Sequence, residues 1–176
     1  PSGSLALPMP DPSRDWVLES IADLCVGMET LQIDESLPIV GEPESLLLIK
    51  RSLGQDAAVA AAERLLTHES DPVLITEAAL YAWENGRAPS PASMGVSPSS
   101  VGPMEQIAAL SDAVQLAACY QPGDCGPQSW QTLAFCARFG CAQGSSLRQA
   151  MATRQSDERM RLIEGYARWI RSFRRG

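Results

Sequence analysis

Four of the chain's five cysteines fall in the run "CYQPGDCGPQSWQTLAFCARFGCAQG", residues 119–144, with the spacing C-x5-C-x10-C-x4-C. That spacing limits what this part of the chain can fold into. Structural zinc sites usually bring ligands in pairs about two to four residues apart, and these intervals are wider. Pro127 follows Gly126 as a first helical residue should, so 127–139 reads as a helix. Cys125 and Cys136 then stand 11 residues apart, roughly 16 Å at about 1.5 Å per residue. A disulfide needs Cα atoms within about 7 Å, which excludes a 125–136 bridge and with it a 119–141 bridge. Cys119 lies beside the start of the same helix, so a 119–136 bridge would also have to reach along it. The pairing left is Cys119 with Cys125 and Cys136 with Cys141, one clamp at each end of the helix. Neither pair is C-x-x-C and no strand precedes either, which disfavours a redox role. Cys25 is left over, in "ESIADLCVGMETL", and reads as a buried free thiol.

Prolines punctuate the rest of the chain. Pro43, Pro72, Pro103 and Pro127 each follow a capping residue (Glu42, Asp71, Gly102, Gly126) and each precedes a stretch rich in Ala, Leu, Glu and Gln. A missing N–H costs nothing at the first helical position. The stretches lack the period-two alternation of a strand. Helices are therefore expected near 13–32, 43–53, 55–69, 72–86, 103–120, 127–139, 146–153 and 156–174. The fold class is all-α, an irregular bundle of antiparallel helical hairpins whose C-terminal hairpin carries two disulfides. The proline intervals suggest a helical-repeat layout as the alternative, although no side-chain pattern recurs with them.

The segment "RAPSPASMGVSPSSVG", 87–102, has no apolar periodicity and reads as a long loop between two helical halves. The opening "PSGSLALPMPDPS" has neither the basic start nor the apolar core of a signal peptide. Residues 1–12 read as a disordered N-terminus or an appended scar, and 13–176 as one helical domain. No run of about 18 uncharged apolar residues occurs, so no membrane span is expected. Disulfides persist in oxidising compartments, which places the chain in the bacterial periplasm or outside the cell.

The cysteine run, followed by a short helix and a longer closing one, resembles the C-terminal part of uncharacterised secreted helical proteins of gram-negative bacteria, in which a "DCGP" element with later paired cysteines recurs. The resemblance covers about residues 115–170. It implies export and implies no activity.

Charge is divided unevenly. Residues 1–153 hold 7 basic and 18 acidic side chains, whereas 154–176 hold 7 arginines and 3 acids. An acidic body repels a phosphate backbone, so nucleic acid is not an expected partner and a basic protein is. Asp34, Glu35, Glu42 and Glu44, around the turn "LPIVGEPE", are the candidate partner-binding acids, and Met94 and Val96 in the long loop are the candidate apolar anchors. Along the closing helix, Leu162, Ile163, Tyr166, Trp169, Ile170 and Phe173 share one face, and Arg161, Arg168, Arg171 and, just past its expected end at 174, Arg175 lie opposite. The apolar face is expected to complete the core, with weak contact to an anionic membrane surface as the alternative.

Catalytic patterns are lacking. The single histidine, His68, sits where a helix is expected to end and serves there as a capping cation. There is no H-E-x-x-H and no Gly-rich phosphate loop, and "GVSPS" at 95–99 lacks the second glycine of a nucleophile elbow. Glu77 and Glu84 read as solvated. No catalytic residue, metal or cofactor is assigned. The leading functional expectation is a non-catalytic protein-binding module of the periplasm, an immunity or inhibitor protein that neutralises a secreted antibacterial toxin. The alternatives are a periplasmic scaffold or secretion accessory, and a cell-wall-acting enzyme whose carboxylates the sequence does not place.

Overall fold

Capping side chains and prolines fix where the helices begin. In a computed structural model of the chain, residues 12–25, 53–69, 71–119 and 125–175 are described. They form seven α-helices: α1 (Pro12–Cys25), α2 (Gln55–His68), α3 (Pro72–Glu84), α4 (Pro103–Ala118), α5 (Trp130–Phe139), α6 (Leu147–Ala152) and α7 (Asp157–Ser172). No strand occurs among the described residues, and the protein is all-α. Pro72 and Pro103 stand at the first helical position, and the Asp71 carboxylate accepts from the backbone N–H of Val73 at 2.8 Å. Ser156 caps α7, and Ser146 with Gln149 forms a reciprocal capping box on α6. The expected helix at 43–53 and the segment 26–32 fall outside the described residues, apart from Leu53.

One start differs from the expected position. Helix α5 begins at Trp130, three residues after Pro127. The Ser129 N–H donates to the carbonyl of Gly126 at 3.0 Å, closing a turn with Pro127 in its second position. The Ser129 hydroxyl then accepts from the N–H of Thr132. A serine that satisfies an orphan helix donor outweighs the proline as a start signal.

Helices α4 and α7 are the central pair. Gln106 meets Tyr166 and Asp112 meets Arg159, so the two run antiparallel. Helices α2 and α3 form an antiparallel hairpin joined by a hydrogen bond from Gln55 to Asn85, α3 packs on α4, and α1 packs on α5. On α7 the side chains of Leu162, Ile163, Tyr166 and Ile170 are fully buried, so its apolar face completes the core as expected. Trp169 and Phe173 close the edge, their rings 5.6 Å apart and nearly perpendicular. A polar thread crosses the core beside α4 and α7. The Tyr166 hydroxyl donates to Gln106 Oε1 at 3.3 Å, and Gln106 Nε2 donates to the carbonyl of Val101. Burial pushes the Tyr166 phenol above its usual pKa, and a hydrogen bond with the Trp83 side chain works in the opposite direction.

The segment 87–102 is more ordered than a loop reading implies. Two Ser-Pro steps each open a 3-10 turn, Pro91–Met94 and Pro98–Ser100. Gly95, at φ +73°, turns the chain between them in a conformation that suits glycine. Val96 is 2% exposed, Val101 is buried, and Met94 lies against Gly165 of α7. Of the two candidate partner anchors, Val96 is buried and Met94 is partly buried. Val96 joins the same core as α7, and Met94 packs against it.

Gly165 gives a test of this docking. A Cβ there would run into Met94 Sδ and lie 2.7 Å from Met94 Cγ and 3.3 Å from its Cβ. Alanine gains about 1 kcal/mol of helix propensity over glycine, and overpacking costs about 1–3 kcal/mol. Gly165→Ala is expected to destabilise the protein by about 1 kcal/mol in urea unfolding. In a Met94→Ala background the same change is expected to stabilise it, and an unchanged sign in the two backgrounds would refute the contact.

Candidate binding groove

Helix α5 has one face buried in the core and another exposed to water. It is pinned at its C-terminal end by Cys136–Cys141, and Cys119–Cys125 closes the segment that leads into it. The Cα separations, 5.1 and 4.9 Å respectively, are those of ordinary bridges. Helix α5 turns Leu133 and Cys136, both fully buried, and the largely buried Phe135 inward. The opposite face carries Trp130, 61% exposed, with exposed Ala134 and Arg138 one and two turns further on, and Phe139, 39% exposed, stands beside Phe135 at the helix end.

Between this face and α4 runs a groove of about 320 Å³. The buried Phe135 lines it from α5, Asp112, Gln115 and Ala118 line it from α4, and Pro72 lines it from α3. The next residue, Val73, is 73% exposed and extends the apolar surface. The rings of Phe135 and Phe139 stand 4.7 Å apart, and the Arg138 guanidinium lies 5.0 Å from the centroid of Phe139. These aromatic and cation–π contacts hold the Phe139 ring in place. Asp112, at the rim, is held by Arg159 of α7 at 3.1 Å. The groove therefore offers two large aromatic surfaces and a guanidinium on a pinned helix. Trp and Arg dominate the energetics of protein interfaces.

The residues expected from sequence are distributed as follows. The four cysteines pair as the spacing required. Asp34, Glu35, Glu42 and Glu44 lie outside the described residues, as does the side chain of Cys25. Met94 and Val96 belong to the core, on the docked 87–102 segment. His68 is the last residue of α2 and is exposed. Glu84 is exposed and Glu77 half-buried on α3. Arg161 reaches the carbonyl of Gly95, Arg168 is exposed, and Arg171 Nε donates to the carbonyl of Ala167 at 3.0 Å. The groove residues were not anticipated. The only local signal was the spacing of Trp130, Ala134 and Arg138, four residues apart on the face opposite Leu133 and Phe135.

Among the described residues no group of three or more His, Cys, Asp or Glu side chains converges as a metal site would require. Two disulfides fit an oxidising compartment, and among the described residues no helix is long and apolar enough to cross a membrane. Compared with the known protein families, with curated proteins and with solved structures, the chain matches none of them.

Proposed function

We propose that the chain is a non-catalytic protein-binding module of the periplasm, an immunity or inhibitor protein that neutralises a secreted antibacterial toxin. The observation that carries the reading is the α4–α5 groove, where Trp130 and Phe139 stand exposed on a helix fixed by a disulfide. Holding such side chains in water is unfavourable unless a partner covers them, and holding them rigidly lowers the entropy lost on binding. The overall charge of -7 favours a basic partner and steers its approach. A scaffold that holds an amphipathic segment is the second reading. It is favoured by the groove running the length of α5, roughly 14 Å at about 1.5 Å per residue.

The test uses Ala134→Arg. Residue 134 is exposed at the middle of the groove, so an arginine there blocks the groove and leaves the core intact. A crosslinking pull-down from a periplasmic extract is expected to enrich one protein with the wild type, and the substitution is expected to weaken that interaction by about 2 kcal/mol or more. Melting of the free protein should change little. A turbidity assay on cell walls then separates the classes. Protection from lysis by the captured protein supports an inhibitor, and lysis by this chain alone overturns the proposal.

A further inference from the structure

A second cleft, of about 880 Å³, opens on the other side of Trp130, between α1, the turn at 126–129, the start of α5 and residues 143–144. Among the described residues that line it none is ionisable, although charged residues make up 20% of the chain. Its walls are two tryptophans, Trp16 and Trp130, and its polar groups include the amides of Gln128, Gln131 and Gln143 and the hydroxyl of Ser20. We propose that this cleft binds a neutral saccharide.

A pyranose ring presents a face of polarised C–H groups and a rim of hydroxyls, each both donor and acceptor. Indole faces are electron-rich and attract such C–H groups, while a primary amide offers two donors and an acceptor to a hydroxyl. The cleft supplies both. Trp16 Nε1 donates to the carbonyl of Cys141 at 3.3 Å, beside the disulfide, so that indole is fixed and its ring is left for stacking. None of the three glutamine amides has a hydrogen-bond partner among the described residues, so their polar atoms are open to a ligand. A charged ligand would enter with no counter-charge on these walls, which burial penalises. A purely apolar ligand would leave the three amides facing hydrocarbon. The volume lies in the range of small-molecule sites and takes a short oligosaccharide.

The experiment is isothermal titration calorimetry of the oxidised full chain with triacetylchitotriose and maltotriose as neutral probes and trigalacturonate as an acidic one. At least one neutral probe is expected to bind with a Kd below about 1 mM, unaffected by added salt, and trigalacturonate is expected not to bind. Trp130→Ala and Gln143→Ala should each weaken the neutral probe by roughly tenfold or more. Both residues are solvent-exposed, so the fold should survive either change. Ala134→Arg, which blocks only the α4–α5 groove, should leave saccharide binding as it was, and this separates the two sites. Failure of both neutral probes to bind at about 10 mM, binding of the acidic probe alone, or wild-type affinity in both variants would overturn the proposal.

Discussion

Alanine at all four of Cys119, Cys125, Cys136 and Cys141 is expected to lower the unfolding free energy by about 4 kcal/mol, about 2 kcal/mol for each small ring. In a chain of this length that corresponds to a fall in Tm of roughly 10 °C. The two bridges should not weigh equally. Cys136 is fully buried and sits where α5 meets its C-terminal turn, so its loss also leaves unfilled space, whereas Cys125 is only partly buried. Cys136→Ala with Cys141→Ala should therefore cost more than the 119/125 pair. Differential scanning calorimetry of the three variants, with the wild type measured in reductant as a control, reads this out. A combined loss under about 1 kcal/mol would mean that the bridges contribute little to the fold.

Asp112→Ala is expected to cost about 3 kcal/mol, although no bulky core side chain is removed. The Asp112 and Arg159 side chains are only 18% and 22% exposed and meet at 3.1 Å between α4 and α7. Arg159 Nε is buried with no partner, so this carboxylate is the one strong acceptor of the guanidinium among the described residues. Without it a largely desolvated cation is left uncompensated. Replacing both partners, as Asp112→Leu with Arg159→Met, removes the charge along with its counter-charge and should return stability to within about 1 kcal/mol of the wild type. Urea unfolding of Asp112→Leu, of Arg159→Met and of the double variant gives the coupling energy directly. Additive losses would show that the pair does not act as a unit.

The sequence reads well where short-range chemistry decides. Helix starts at Pro72 and Pro103 follow from a missing N–H that a helix start does not need. The cysteine pairing found is the one the spacing implies, although α5 starts at Trp130 and not at Pro127. The amphipathic face of α7 is legible because one period of 3.6 residues fixes it. Pro127 misleads because the competing signal, a serine whose hydroxyl reaches Thr132, acts two residues later. Met94 and Val96 mislead for a different reason. Met94 settles into a gap left by Gly165, more than 60 positions away, and no local pattern announces such a gap. The groove is non-local in the same sense. Pro72, Asp112 and Trp130 come from three helices and meet only once α3, α4 and α5 have packed.

Both bridges join cysteines that are neighbours in chain order, and this bears on how the protein is made. A polypeptide delivered from its N-terminal side presents Cys119 and Cys125 before Cys136 arrives, and small rings close far faster than large ones. Among these four thiols, the first partner each one meets is its native partner. Closing rings among them in the order of synthesis yields the native pairs directly.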